Sequence, residues 1–302
     1  MNERKVDFAV KRTRKLDPLE NAMQLLFFLC GAVAVAFVLV ITVYLVVSGL
    51  PAIQKVGLGN FLLGTTWDSA NKTDPQYGIL PFILTSIYGT AGAIFIGVPV
   101  GFLTAMFLAK AAPARLAAVV RPAVDLLAGI PSVVYGMVGM VVLLPGIRGL
   151  FHLKAGDTLL AAILVLAVMI LPSIISVSET ALRAVPREYE EASLALGATE
   201  METYFRVSAP AAKSGIAAAV VLGVGRAIGE AMAIMMVAGN AANMPGLFRS
   251  VKFLTTAVAS EMSYAADGSL QKMALFSIGL VLFLFIMMIN VFLNLVLKRE
   301  KE

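Results

Sequence analysis

The chain has 302 residues, of which 59% are hydrophobic and 14% charged, with a formal net charge of +5. That balance excludes a soluble globular domain. The single cysteine, Cys30, rules out an internal disulfide framework, and the single histidine, His152, leaves little for a transition-metal site.

Residues 1–22 read as a polar N-terminal tail, with Lys5, Lys11, Arg12, Arg14 and Lys15 among its basic residues. The apolar run that follows, from Met23 to Val47, is longer than the roughly 7–15-residue core of a cleavable signal peptide, so it is expected to be a retained first span. Residues 48–78 form a polar loop rich in turn formers. Its Trp67 and Tyr77 suit a water–membrane interface, ordinary loop packing or the docking of an external partner.

Leu80 to Ala109 gives a second span, with Pro81, Pro99 and a Gly97-x-x-x-Gly101 spacing that supports close helix packing. Lys110, Arg115 and Arg121 make a short basic loop. The third span, Pro122 to Leu144, carries Asp125 near its start and the interruption Gly129-Ile-Pro-Ser132. Interrupted helices are tolerated where protein or water satisfies the freed backbone groups, often near transport sites. Asp125 and Ser132 are therefore candidate pathway residues, a plain kink being the alternative reading. A loop from Pro145 to Asp157 leads to a fourth span, Thr158 to Val177.

A polar insertion, residues 178–214, separates the fourth and fifth spans. Pro186 suits a first helical position, and Glu188, Glu190 and Glu191 favour the positive end of a helix dipole. Gly197 is a natural stop. The pattern predicts a short amphipathic helix whose apolar side includes Ala192, Leu194, Ala195 and Leu196, and an exposed helix of that kind should dock on something. A second helical piece, Met201 to Val207, leads through Pro210 back to the membrane.

The fifth span, Gly215 to Ala238, contains Gly223-Val-Gly-Arg-Ala-Ile-Gly-Glu230. Each ion at a helix centre costs roughly 2.5–3.5 kcal/mol, so neither Arg226 nor Glu230 is expected to face lipid. On a continuous helix the two lie one turn apart on one face, framed by Ala219, Gly223 and Ala233. They read either as a buried structural pair or as a polar site on a pathway through the membrane. An arginine fork matches a tetrahedral oxyanion, and a carboxylate one turn away competes for it, weakening retention and allowing release. Residues 239–272 form a further loop, Met273 to Leu297 the sixth span, and residues 298–302 the C-terminal tail.

Charge placement orients this layout. The N-terminal tail, the loop around Arg115, the 178–214 insertion and the C-terminal tail carry 6, 3, 4 and 3 Lys/Arg, whereas the other three loops carry 2, 2 and 3. Both termini and the insertion are therefore expected in the cytoplasm, and the positive charge reflects membrane topology rather than nucleic-acid binding. No Walker A sequence, HExxH or GxSxG occurs, so no cofactor and no catalysis are expected of this chain alone.

Glu191-Ala-Ser-Leu-Ala-Leu-Gly197, followed by Val207-Ser-Ala-Pro210, resembles the EAA loop of bacterial ABC-importer permeases. Glu191, Ala192, Gly197 and Pro210 match that pattern, while Ser193, Val207 and Ala209 depart from it. Gly225-Arg-Ala-Ile-Gly-Glu230, Gly129-Ile-Pro-Ser132 and Thr255–Met262 are similar to segments of phosphate-importer membrane subunits. The N-terminal tail, the Phe61–Trp67 loop and Gly239-Asn240…Met244-Pro245 resemble the PstC type more than PstA. The resemblance implies an all-α, six-helix integral membrane protein of type I ABC-importer permease architecture in the bacterial inner membrane. It also implies a PstA-like sister permease, two cytoplasmic PstB-like ATPases that bind ATP and Mg, and an extracytoplasmic PstS-like phosphate-binding protein. Glu191, Ala192, Ser193, Leu194 and Gly197 would then form the ATPase-coupling helix, and Arg226 and Glu230 the charged transport pair. Permeases for sulfate or molybdate and an ATP-independent secondary transporter are the alternatives.

Overall fold

Every long apolar run is helical in the computed structural model, which describes residues 18–69, 71 and 73–299. The first 17 residues of the expected N-terminal tail and the last three of the C-terminal tail lie outside the described residues. Helices α1 (Pro18–Val56), α3 (Leu80–Met106, continued by a π-helical turn, Phe107–Ala111), α7 (Leu159–Arg183) and α14 (Leu270–Arg299) are the long rods, and a short α2 (Leu58–Leu63) follows the first of them. Five runs are long and apolar enough to cross a bilayer: Ala22–Val56, Leu80–Ala111, Ser132–Leu150, Leu159–Arg183 and Leu270–Val291. A sixth comes from the bent pair Glu200–Ala211 and Lys213–Gly229, which turn through 73° at their junction. The helical, six-span architecture expected from the sequence is thus present among the described residues. Its one small sheet is an antiparallel pair, β1 (Trp67–Asp68) and β2 (Gln76–Tyr77), with Trp67 opposite Tyr77.

Small residues set the helix spacing. A Cβ added at Gly97 would sit 2.6 Å from Ile170 Cδ1, and one at Gly101 2.8 Å from Ile174 Cγ2, so the Gly97-x-x-x-Gly101 face lies directly on α7. The isoleucines of α7 fill the room the glycines leave, and Leu166, Ile170 and Ile174 are fully buried there. The C-terminal part of α1 meets α14 in the same way. Ser277 Oγ donates to the Gly49 carbonyl at 2.6 Å, while the preceding turns of α1 expose their apolar side chains, as lipid-facing residues do.

Two spans are built differently from the sequence expectation. Residues 114–129 form a separate helix, α4 (Ala114–Gly129), and the third span begins only at Ser132. Pro131 disfavours helical geometry at the residue before it, and Ile130 is accordingly extended (ψ 127°). The span then runs through α5 (Ser132–Val138), a π-helical turn (Gly139–Leu143) and α6 (Leu144–Leu150), into the expected loop.

The fifth span is also broken. Helix α11 (Lys213–Gly229) stops at Glu230, which is extended (φ −73°, ψ 129°), and a short α12 (Met232–Val237) follows. The continuous-helix picture, with Arg226 and Glu230 one turn apart on one face, is therefore corrected: Glu230 lies past the helix end. No proline forces this break. It is held by tertiary contacts, because Thr255 Oγ1, in α13 (Leu254–Glu261), donates to the Glu230 carbonyl at 2.7 Å.

Candidate functional site

The two breaks lie side by side. A Cβ added at Gly136 would meet the Ala233 Cα at 2.9 Å, and one at Gly139 would meet Val237 Cγ1 at 2.9 Å. Contacts that advance together along both chains mean that α5 and α12 run parallel, with the break at Glu230 level with the first turn of α5. At the first break Tyr135 Oη reaches back to donate to the Leu127 carbonyl at 2.7 Å, a second bond to an oxygen that also accepts from the Ile130 N–H at 3.3 Å. At the second, Glu230 Oε1 accepts from the Ala233 N–H at 2.9 Å and caps α12.

Arg226 belongs to the last turn of α11 and is partly buried, within electrostatic reach of Tyr135. Among the described residues no hydrogen bond or ion pair holds its guanidinium. A partly buried guanidinium without an ionic partner favours a negatively charged one. Ser132 opens α5 at the first break and is partly buried. Asp125 stands apart, exposed on α4 in a cleft of about 300 Å³ that it shares with Arg121, Glu179 and Arg183.

The polar insertion folds as a helix, α8 (Arg187–Ala195), which ends at Gly197 in the left-handed region (φ 89°), where a side chain would be strained. Glu191, Ala192, Leu194 and Ala195 are exposed, and Leu196 is 90% exposed. Ser193 faces inward, its hydroxyl 2.9 Å from that of Thr203. A second helical run follows, α9 (Glu200–Thr203), a π-helical turn (Tyr204–Ser208) and α10 (Ala209–Ala211), opened by a reciprocal Thr199–Glu202 capping box. Glu190, unlike its neighbour Glu191, is mostly buried: it pairs with Lys110 and accepts from Ser208 Oγ at 2.7 Å. Burial alone would raise the carboxyl pKa, but the bonds from Lys110 and Ser208 and the charge of Arg187 together hold it below the ordinary glutamate range.

Residues 97–301 match the family described as "Binding-protein-dependent transport system inner membrane component". The chain is 39% identical to the probable ABC transporter permease protein YqgH of Bacillus subtilis (strain 168), over 93% of this chain and 92% of that one. It is 37% identical to the phosphate transport system permease protein PstC of Haemophilus influenzae, over 87% and 88% of the two chains. The chain belongs to this permease family and is of PstC type. Its fold is similar to that of a chain of the MetNI methionine ABC transporter in an inward-facing conformation. That match has a TM-score of 0.58 at 21% identity and covers 74% of this chain and 95% of the other.

The permease is accordingly a multi-pass inner-membrane subunit of an ABC transporter. Its geometry places Arg226 and Glu230 at the second break, Ser132 at the first and Asp125 in a separate cleft. It also adds residues that sequence reasoning missed. Tyr135 bridges a helix break beside Arg226, Thr255 pins the second break, and Lys110 holds Glu190. The tyrosine hydroxyl in an otherwise apolar run was the available signal; the others depend on contacts between distant segments.

At the other end of α3, Glu261 gathers a separate network. It accepts from Trp67 Nε1 at 3.1 Å and Ser69 Oγ at 3.1 Å and pairs with Lys252 at 2.5 Å. Trp67 and Tyr77 are buried against Phe82, so for both rings loop packing is the reading that the structure supports.

Proposed function

We propose that this PstC-type permease carries inorganic phosphate across the membrane by alternating access, with Arg226 as the residue that meets the anion. The observation that carries this reading is the guanidinium at the paired helix breaks, which has no ionic partner among the described residues. The PstC relatives supply the substrate class. Glu230 acts from the adjoining break, competing for the guanidinium when its backbone moves, while Ser132 lines the same passage. Asp125 contributes at the end of the passage nearer α8.

In this reading α8, with Glu191, Ala192, Ser193, Leu194 and Gly197, seats in a cytoplasmic ATPase subunit, and both termini are cytoplasmic. A PstA-like sister permease completes the membrane portion, two PstB-like subunits bind ATP and Mg, and a PstS-like protein delivers phosphate from outside. The bare apolar side of α8 supports the docking role, since such a face in water calls for a partner. The alternatives open to the sequence, another oxyanion or an ATP-independent carrier, gain no support from relatives of this type.

The experiment is uptake of labelled phosphate by vesicles holding the complex assembled with candidate partners. Arg226→Gln should abolish phosphate movement while subunits still co-purify in normal ratio. Wild-type uptake by that variant would sink the role of Arg226, and preference for sulfate over phosphate in the unmutated complex would sink the substrate.

A further inference from the structure

The last turn of α3 is where four segments meet. In the π-helical turn Phe107–Ala111 the Ala112 N–H bonds to the Phe107 carbonyl at 2.7 Å, five residues back. The next bond in that series would join residue 113 to Leu108, but residue 113 is proline and has no N–H. The Leu108 carbonyl is left for other donors, and two guanidiniums take it: Arg121 Nη2 from α4 at 3.1 Å and Arg183 Nη2 from α7 at 3.2 Å. Both arginines also donate through Nε to the buried carboxylate of Glu179, at 2.5 Å and 2.9 Å. Two residues further on, the Lys110 side chain pairs with Glu190 of α8, and the Lys110 carbonyl accepts from Tyr204 Oη at 3.3 Å.

The turn is thus bonded rigidly to α4 and α7 on one side and to α8 and the Tyr204 segment on the other. The Lys110 and Glu190 side chains are only 10% and 18% exposed, so their attraction is weakly screened. The outer face of α8 points away from this bond: Ala192 and Ala195, with Leu196 just past the helix end, are exposed on the side opposite Glu190. A force applied to that outer face has a short ionic route into α3, whose glycine face rides on α7.

We propose that Lys110 and Glu190 are positioning residues that transmit displacement of α8 to the second span, making the Lys110–Glu190 bond the mechanical link between ATP use and opening of the passage. This rests on the transport reading above and deepens it. The pair touches neither the anion nor ATP. Its effect is read in the ratio of solute moved to ATP hydrolysed, which a merely structural bond would leave unchanged in an assembled, folded complex.

The test uses the complete complex in vesicles, measuring labelled phosphate uptake and ATP hydrolysis on the same preparation. Lys110→Gln and Glu190→Gln should each lower phosphate moved per ATP by at least about fivefold, the lower end of typical coupling energies between sites. Subunit ratio and melting temperature are followed alongside. The reversed pair, Lys110→Glu with Glu190→Lys, restores opposite charges and should recover most of the ratio. A normal ratio in either single variant overturns the proposal, as does a folded reversed pair no better coupled than the singles. If the unmutated complex moves sulfate instead of phosphate, the same ratios are read with sulfate: the substrate assignment then falls while the link stands or falls on its own numbers.

Discussion

Tyr135 and Leu127 are bonded across a gap in the helix, hydroxyl to carbonyl, at 2.7 Å. The bond closes the Ile130–Pro131 interruption from the side on which Arg226 lies, so the ring both braces the break and places a polar edge near the guanidinium. Tyr135→Phe removes one hydrogen bond and leaves the Leu127 carbonyl with only the longer bond from the Ile130 N–H. The expected loss is about 1 kcal/mol, seen as a lower melting temperature of the detergent-solubilised complex. Phosphate uptake should fall as well, because the break is no longer held; unchanged uptake would remove Tyr135 from the site.

Glu230 caps α12 through its carboxylate and, in the transport role proposed above, also competes as a negative charge for Arg226. Glu230→Gln keeps an acceptor for the Ala233 N–H and discards the charge, whereas Glu230→Ala discards both. The alanine variant should be less stable than the glutamine variant by about 0.5–2 kcal/mol. Both should release phosphate slowly if charge competition matters. Equal stability of the two in thermal melts would show that the cap contributes nothing.

Gly97 and Gly31 offer a contrast in one residue type. An added methyl at Gly97 lies 2.6 Å from Ile170, so Gly97→Ala forces α3 and α7 apart, at a cost of about 1–3 kcal/mol. Nothing stands within 4 Å of a Cβ at Gly31 on α1, and Gly31→Ala should stabilise its helix by about 1 kcal/mol. Melting temperatures should move in opposite directions.

The Glu190 pair gives a pH dependence with a definite sign. Its carboxyl pKa is lower in the folded protein than in the unfolded chain, so its contribution is complete above the unfolded value, about 4.3. That contribution is lost as pH falls through the folded value, below the ordinary glutamate range. The stability difference between wild type and Glu190→Gln should therefore be constant through neutral pH and shrink only under acid conditions. A difference that already vanishes near pH 6 would contradict the pairing.

Hydrophobic run length located the spans, because roughly 20 apolar residues are needed to cross a bilayer whatever the neighbours do. The α8 helix and its end at Gly197 were legible for a similar reason: acidic residues after a proline and a left-handed glycine are local signals. The break at Ile130 was legible through Pro131. The break at Glu230 was not, because glutamate and alanine are good helix formers and the contact that ends α11 comes from Thr255, 25 residues away. Glu190 was read as a helix-dipole charge for want of any local sign of Lys110. Periodicity reports a residue's own helix; it carries no information about which distant cation shares its burial.

The proline after the π-helical turn of α3 has a consequence for how this permease can vary. With Pro113 lacking an amide hydrogen, the carbonyl of Leu108 becomes a socket for two arginines from different helices. Any other residue there would bring a competing donor within the same strand of backbone. A single imino acid thereby leaves open the oxygen through which α4 and α7 are both tied to the end of α3.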